Sequence, residues 1–399
     1  MTSLESLLRD EWGRLLALLV AQFRRLDLAE DGLAEAFEAA ARTWTVAPDN
    51  PPAWLLTAAR RRILDRLRAE AVAARKLPLL AVEASLQEEA QQVMADAGVP
   101  VRDERLRLVL LCAHPSLPPE SAAALTLRLV LGVPTEDIAR LFLVPTPTMA
   151  ARLTRARKRL AGESFSIPDD LSARVGVVAD VAYLAFTAGY APGSGPDVLR
   201  ASVAGEAIRL VRVLRAVLPP SYDLVELDAL LALMLLQHSR RDARTVGGRL
   251  VLLPDQDRSR WDLADITEGL DLLQPWVGAP ASPYLLQALI AAEHAVALEP
   301  GDTDWDRIVQ RYSELEALTG SPIVRLNRAV AVAEASGPAA GLSVLEGLAL
   351  PGHRLPATRA ELLARSGRLD EARTAYDEAI GRCGNLAERA HLIERRARL

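Results

Sequence analysis

One segment concentrates the side chains best suited to contact phosphate groups and base edges. Between residues 140 and 159 the chain has six basic residues and no acidic residue. Arginine carries a permanent charge on a forked donor, which fits phosphate oxygens and the O6 and N7 atoms of guanine. A helix over this segment would bring four polar side chains to one face, at i, i+3 and i+4 spacing: Thr148, Arg152, Arg155 and Arg159.

The elements before this basic helix are those of a helix-turn-helix. The segment LTLRLVLGVPTEDIARLFLVPTPTMAARLTRARKRL (residues 125–160) indicates a helix, a turn at residues 132–134, a second helix, a Pro-marked turn and a final helix. This order, with arginine on the last helix, is typical of proteins that read DNA. The final helix would be about 22 Å long, enough to lie in a major groove. We predict that its first residues contact bases and that Arg157 and Lys158 contact phosphates.

A second basic helix is predicted near the N-terminus, directly after an acidic one. The segment WLLTAARRRILDRLRAEAVAARK (residues 54–76) has arginine on one side and a stripe of apolar residues on the other. The predicted helix before it, at residues 28–44 with Asp27 as its N-cap, has an acidic surface. A basic helix alone is equally well explained as a solvated surface. Beside an acidic face, it suits a module held between a protein partner and DNA.

Composition and charge limit the class of protein. The chain has 399 residues, of which 50% are hydrophobic and only 4% aromatic. This composition favours helices packed on helices, so we predict an all-α fold with several domains. The best strand candidate is short, at residues 249–253. A net charge of −5 argues against a chain that binds nucleic acid over its whole surface, and the local basic patches are therefore the relevant feature.

Signals for other kinds of chemistry are weak. Cys112 and Cys383 are far apart in the chain and are interpreted as buried thiols in a reducing cytoplasm. The five histidines show no metal-site spacing, and we find no phosphate-binding glycine loop, Ser-His-Asp pattern or HExxH motif. No segment has the pattern of a signal peptide or a membrane span. The sequence therefore predicts a cytoplasmic protein without enzymatic activity, cofactor or membrane partner.

The second half of the chain has features of a helical repeat. Residues 356–380 resemble a tetratricopeptide unit with Gly367 at its turn, and residues 323–346 resemble a degenerate copy. Two copies are a weak basis for a solenoid, because stacking usually needs three or more. The Arg- and Asp-rich stretch at residues 240–261 has two interpretations. It either makes a regulatory contact or forms an ion-paired loop anchored by Trp261.

Two of these segments resemble a known family. The string LDLAEDGLAEAFEAAARTW…PPAWLLTAARRRILDRLR is similar to region 2 of bacterial sigma-70 factors of the extracytoplasmic-function class, and residues 125–160 resemble their region 4. The order and spacing agree with that family. The long C-terminal part resembles the subgroup that carries a helical extension with tetratricopeptide-like repeats. The resemblance implies the following domains: region 2 at 1–76, a linker at 77–104, region 4 at 105–163 and the extension at 164–399.

The resemblance implies promoter-specific initiation of transcription. Region 2 would bind the β′ clamp helices of core RNA polymerase and open the −10 element of promoter DNA, while region 4 would read the −35 element and touch the β-flap. A regulatory protein would act through the extension. The residues implied at the −35 element are Thr146, Thr148, Arg152, Arg155, Arg157, Lys158 and Arg159. Those implied at the −10 element are Trp44, Asn50, Arg60, Arg61, Arg62, Arg66 and Arg68. Those implied in core polymerase binding are Glu30, Asp31, Glu35 and Glu38.

Some positions depart from the family pattern, and some alternatives stay open. Ala34 stands where the family usually has glutamine, which would weaken a polar contact to the clamp helices. Arg61 stands where the family often has asparagine, so the family's base preference at the −10 element does not carry over. Trp44 and Trp54 could stack on bases or close a small core. The competing hypothesis for the whole chain is a stand-alone helix-turn-helix regulator with a helical sensor domain.

Overall fold

The computed structural model describes most of the chain. The described residues are 4–44, 47–73, 99–142, 144–160, 163, 171–190, 201–246, 249–297 and 299–399. Residues 77–98 of the predicted linker lie outside these ranges.

The chain divides into two compact units. The first comprises Met1–Ala182 and Arg212–Pro220, and the second comprises Tyr183–Val211 and Ser221–Leu399. The division therefore falls later in the chain than the boundary predicted after residue 163. The four predicted domains stay a prediction.

Helices make up almost all of the regular structure in the described residues, which confirms the predicted all-α fold. The helices before the division between the units are α1 (Leu4–Phe23), α2 (Leu26–Thr43), α3 (Pro51–Ala73), α4 (Val99–Cys112), α5 (Pro119–Leu129), α6 (Thr135–Leu141) and α7 (Thr146–Leu160). The division crosses the next two helices, α8 (Ser172–Tyr190) and α9 (Ala201–Val217).

The core of the first unit is built from leucine and alanine. Leu15, Leu16 and Leu19 of α1 are fully buried, at the i, i+1 and i+4 spacing that keeps one helix face against its neighbours. On α2, Leu33 is equally buried, and Ile63 fills the matching position on α3. These apolar faces leave the charged faces of α2 and α3 at the surface.

The start of α2 differs from the sequence prediction. The helix begins at Leu26 with Arg25 at the N-cap position, so Asp27 lies in the first turn and does not cap the helix. Arg25 donates to both carboxylate oxygens of Asp27, at 3.0 and 2.8 Å. This contact, more than any other, holds the pKa of Asp27 below its usual range. A carboxylate in the first turn also interacts favourably with the helix dipole, which explains why Asp27 is tolerated inside the helix.

The helices of the second unit follow one another closely. After α9 they are α10 (Val225–His238), α11 (Leu263–Leu273), α12 (Pro283–Val296), α13 (Trp305–Thr319), α14 (Pro322–Ser336), α15 (Pro338–Val344), α16 (Arg354–Arg365), α17 (Leu369–Arg382) and α18 (Leu386–Ala397). The 3₁₀ helices of this unit are Arg241–Ala243, Leu253–Asp255, Arg258–Arg260, Gln274–Trp276 and Pro300–Asp302. Among the described residues, no helix combines the length and the apolar character needed to cross a membrane.

A two-stranded ribbon interrupts the helices of the second unit. Strand β1 (Thr245–Val246) pairs antiparallel with β2 (Arg249–Leu250), and Thr245 lies opposite Leu250. The strand predicted at residues 249–253 is thus found, but it ends at Leu250 because Leu253 begins a 3₁₀ helix.

Small side chains let the C-terminal helices pack closely. Helices α16 and α17 are joined by a tight turn at Gly367, and their shared core includes Ala360, Ala372 and Tyr376. A second pair, α14 and α15, is joined at Gly337. The predicted helix–turn–helix pairs are therefore present, whereas their assignment to the tetratricopeptide class stays a prediction.

Candidate nucleic-acid interface

The helix-turn-helix predicted from the sequence is formed by α5, α6 and α7. Gly132 has a φ of 70°, in the left-handed region that favours glycine, and it turns the chain after α5. The amide of Val133 donates to the carbonyl of Leu127 at 3.0 Å and closes this turn. The carbonyl of Pro134 then accepts from Ile138 at 3.1 Å in the first turn of α6. The proline fits there because the first amides of a helix have no partner inside the helix.

Helix α7 separates an apolar face from a basic one. Met149, Leu153, Ala156 and Leu160 are buried, at the spacing of one helix face. The opposite face has no acidic residue, and its exposed members include Thr148, Arg155, Lys158 and Arg159, while Thr146 is exposed at the start of the helix. Four of the seven residues assigned to the −35 element therefore lie on one solvent-facing surface, which can contact phosphates and base edges.

The two remaining arginines of α7 are held by contacts within the protein. The guanidinium of Arg152 lies over the ring of Phe142, with its carbon 5.7 Å from the ring centroid. A cation–π contact of this kind orients the side chain but leaves its outer N–H groups free for other partners. Arg157 is held much more firmly, by a buried carboxylate.

That carboxylate is Glu30 of α2, which is only 5% exposed. One of its oxygens accepts from Nε of Arg128 on α5 at 2.7 Å. The other lies 2.6 Å from Nη2 of Arg157 on α7. We call these three residues the Glu30 clasp. Breaking a buried pair from one side leaves an uncompensated charge, which is strongly destabilising.

The surroundings of the clasp bring α1 against the helix-turn-helix. The guanidinium of Arg128 lies over the ring of Trp12, 5.5 Å from its centroid. A methyl group added at Gly13 would lie 2.1 Å from the carbonyl oxygen of Val130, so only glycine fits there without a backbone shift. The clasp is thus part of a tightly packed contact within the first unit.

The clasp joins residues that the sequence assigned to different partners. Glu30 was assigned to core polymerase and Arg157 to the −35 element, yet in this structure they contact each other. Arg128 had no predicted role. A sequence signal did exist, because Arg128 is the one charged residue in an otherwise uncharged run at residues 121–135. A charge in such a run is expected to have a buried partner.

The acidic surface of α2 and the basic surface of α3 are joined by more exposed ion pairs. Arg66 contacts Asp31 at 2.7 Å and also pairs with Glu35. Arg62 lies 3.7 Å from Glu35, and Glu38, the last acidic residue of this face, lies 3.9 Å from Arg42. Exposed pairs of this kind contribute about 0–1 kcal/mol each, so a partner could replace them at little cost.

The other residues assigned to the −10 element have varied surroundings. Arg61 is exposed, and Arg68 pairs with Asp65 at 3.1 Å. Arg60 is half-buried, and this burial lowers the pKa of its guanidinium. Asn50 accepts from the amide of Ala53 at 3.1 Å, as an N-terminal cap of α3.

The two tryptophans near the start of α3 pack on each other. The rings of Trp44 and Trp54 meet edge to face, with centroids 5.2 Å apart. Both side chains are half-buried. This arrangement matches the core alternative for the pair, since each ring covers an apolar surface of the other.

The Arg- and Asp-rich stretch of the second unit is an ion-paired loop. Arg241 contacts Asp262 at 2.6 Å and Asp265 at 2.8 Å. Trp261 is buried, with the guanidinium of Arg258 4.5 Å from its ring centroid and that of Arg240 5.8 Å from it. Of the two interpretations of this stretch, the structure favours the loop anchored by Trp261.

Comparison with known families identifies the class of the helix-turn-helix. Residues 107–160 match the family Sigma-70, region 4, and this range covers the C-terminal part of α4 together with α5, α6 and α7. The match supports membership of the sigma-70 family and a sigma-factor-like role in DNA binding. Residues 174–276 match a family of unknown function, DUF6596.

One curated relative resembles nearly the whole chain. It is Uncharacterized protein R00370 of Rhizobium meliloti (strain 1021), which is 40% identical over 390 residues, covering 94% of this chain and 90% of the relative. The chain belongs to the same family as that protein. No solved structure matches the chain.

Proposed function

We propose that this protein is a sigma factor of the extracytoplasmic-function class, which binds core RNA polymerase and directs promoter-specific initiation of transcription. The observation that carries the proposal is the exposed basic face of α7, inside the segment that matches sigma-70 region 4. In this proposal, Thr148, Arg155 and Arg159 read the −35 element from the major groove.

The paired helices α2 and α3 act as region 2 in this proposal. Asp31, Glu35 and Glu38 bind the β′ clamp helices of the polymerase, and Arg61, Arg62 and their neighbours on α3 hold the −10 element. Binding would exchange the exposed ion pairs of Arg66 for contacts to the polymerase and DNA. The exchange is inexpensive because each exposed pair contributes about 0–1 kcal/mol.

The Glu30 clasp would have to open before the protein could bind both promoter elements. Arg66 contacts Asp31, and the adjacent Glu30 contacts Arg157, so the guanidinium groups of Arg66 and Arg157 lie within about 20 Å of each other. The −10 and −35 elements are named after their positions on the DNA, which differ by about 25 base pairs. This separation corresponds to about 85 Å of B-form DNA. Both elements therefore cannot be bound while the clasp is closed. We infer that the clasped form is the free protein and that binding to core polymerase opens it.

We assign a modulating role to the residues after region 4. These residues form paired helices that suit binding of a peptide or a regulatory protein. Similarity to the rhizobial relative extends over 94% of the chain, so the combination of region 4 with this extension is shared by both proteins. In this proposal the extension controls how readily the factor works with polymerase.

The proposal is tested by run-off transcription from a promoter library with purified core polymerase. The wild-type protein should select a set of promoters with two shared elements. The double variant Arg155→Ala/Arg159→Ala should keep its binding to core polymerase but lose selection of the upstream element. Arg359→Ala, an exposed arginine outside the region 4 match, should behave as wild type.

Two outcomes would contradict the proposal. One is specific binding of duplex DNA without polymerase, combined with no transcription. That result would favour the stand-alone regulator with a helical sensor domain. The other is unchanged promoter selection by the double variant, which would exclude the basic face of α7 as the reading surface.

A further inference from the structure

Three potential metal ligands meet at the C-terminal end of the second unit. His353 lies directly before α16, Cys383 lies directly after α17, and Glu388 lies in the first turn of α18. Their ligand atoms all lie within 4.8 Å of one another. Among the described residues, this is the one group of three such side chains brought so close together. The histidine pattern in the sequence gave no sign of it, because the ligands come from three separate helix ends.

The distances are close to those of an occupied site. Nε2 of His353 lies 2.9 Å from a carboxylate oxygen of Glu388. Zinc binds thiolate at about 2.3 Å, imidazole at about 2.0–2.1 Å and carboxylate at about 2.0–2.2 Å, so neighbouring ligand atoms of a tetrahedral site lie about 3.3–3.6 Å apart. Shifts of about 1 Å would complete this geometry, which is within the range of side-chain rotation.

The backbone around the three ligands is fixed by its own contacts. Asn385, only 1% exposed, accepts from the amides of Ala387 and Glu388, both at 3.0 Å, and so caps α18. The thiol of Cys383 contacts the carbonyl of Asn385 at 3.4 Å and is 8% exposed, so it is buried but not sealed. Cys383 and Leu392 of α18 belong to the same core. The site is therefore held by packed elements and does not depend on a loose loop.

We propose that His353, Cys383 and Glu388 form a binding site for a divalent cation of the zinc class. The set of one sulfur, one nitrogen and one oxygen suits zinc or cobalt better than magnesium or calcium, which prefer oxygen alone. On binding, the thiol of Cys383 loses its proton to solvent and the thiolate bonds to the metal. Thiolate and carboxylate together balance the charge of the cation, and water occupies the fourth position.

A bound metal ion would connect the last helix, α18, to the pair formed by α16 and α17. The metal would join the start of α16 to the end of α17 and the start of α18, where His353 already pairs with Glu388 and the thiol of Cys383 contacts the carbonyl of Asn385. Because a cation that binds only the folded state stabilises it, the C-terminal helices should melt at a higher temperature with zinc than without it.

Cobalt titration of the full-length protein, prepared without a histidine tag and treated with chelator, tests the site. A sulfur-to-cobalt charge-transfer band should rise to saturation at one cobalt per chain, and zinc should displace the cobalt. Cys383→Ala should lose the band completely, whereas Cys112→Ala should keep it. Cys112 is a matched control because it is the only other cysteine and is fully buried outside this cluster.

A second variant covers the case in which Cys383→Ala does not fold. His353→Gln keeps the thiol and should weaken cobalt binding at least about tenfold, with a shifted absorption spectrum. Circular dichroism of each apo-protein reports its folding. A wild-type protein without the charge-transfer band, or a band that Cys383→Ala keeps, would overturn the proposal and leave His353 and Glu388 as an ion pair only.

Discussion

A single carboxylate, that of Glu30, determines how two groups of candidate interface residues meet. The sequence placed Glu30 on an acidic surface with Asp31, Glu35 and Glu38, and this grouping follows from helical spacing. Helical spacing cannot tell which of these residues is covered by another part of the chain. Glu30 is covered because Arg128 and Arg157 arrive from residues about a hundred positions later. Contacts between residues so far apart in the chain cannot be predicted from the local sequence pattern.

Arg128 belongs to the clasp but to neither predicted interface. A substitution of Arg128 therefore tests the clasp without removing a residue assigned to polymerase or DNA. Arg128→Gln should lower the free energy of unfolding of the first unit by about 2–3 kcal/mol, because Glu30 then loses one of its two buried partners. If the clasp opposes opening, the same variant should bind core polymerase more tightly. Urea denaturation and equilibrium binding measure the two effects.

Arg42→Gln is the control for this variant. Arg42 is a highly exposed arginine of the same unit, and its only described ion pair, with Glu38, spans 3.9 Å. It should change the stability by less than about 0.5 kcal/mol. Weaker polymerase binding by Arg128→Gln would refute the idea that the clasp restrains the protein.

His294 makes the stability of the second unit depend on pH. Burial, with Arg240 and Arg258 nearby, lowers the pKa of His294 from its ordinary value to about 4. In the unfolded chain the pKa is about 6.5, so between these values the unfolded state binds the extra proton. Stability is therefore lost as the pH falls from about 6.5 to about 4. The loss from this group should reach about 2 kcal/mol at pH 4.5.

The variant His294→Gln removes this titration. The difference in free energy of unfolding between pH 7 and pH 4.5, measured by urea denaturation, should be about 2 kcal/mol smaller than in the wild type. An equal difference in both proteins would show that His294 titrates normally in the folded state.

At the scale of elements, the sequence predicted the helices well and their packing poorly. The second and final helices predicted within residues 125–160 are found at Thr135–Leu141 and Thr146–Leu160, because proline and glycine mark the turns between them. The close approach of α1 to the end of α5 was not predicted. Gly13 gives no signal by itself, since a glycine in a helical pattern has several explanations.

A substitution of Gly13 tests the close contact between α1 and the end of α5. Gly13→Ala should destabilise the first unit by about 2 kcal/mol, even though alanine favours a helix, because the new methyl group would lie 2.1 Å from the carbonyl oxygen of Val130. Gly176→Ala is the matched control, since among the described residues nothing beyond its own helix backbone and chain neighbours lies within 4 Å of the added methyl group. It should stabilise the protein by roughly 0.5–1 kcal/mol. Thermal melts that rank the two variants in the opposite order would contradict the packing of α1 described above.

At the scale of the whole molecule, the chain combines a region 4 domain with a large helical unit. The sequence resemblance anticipated region 4, which the family comparison supports. It did not anticipate that the compact units divide within α8 and α9. A division of this kind depends on which distant helices pack together, and composition and turn signals do not contain that information.

If this protein is a subunit of RNA polymerase during initiation, it must bind the core enzyme. Full-length protein should form a one-to-one complex with purified bacterial core polymerase at low salt, measured by size-exclusion chromatography with light scattering. The triple variant Asp31→Ala/Glu35→Ala/Glu38→Ala should bind at least about tenfold more weakly, since each lost charged contact costs about 0.5–1.5 kcal/mol. A wild-type protein that forms no complex at low salt would contradict the proposed function as a sigma factor.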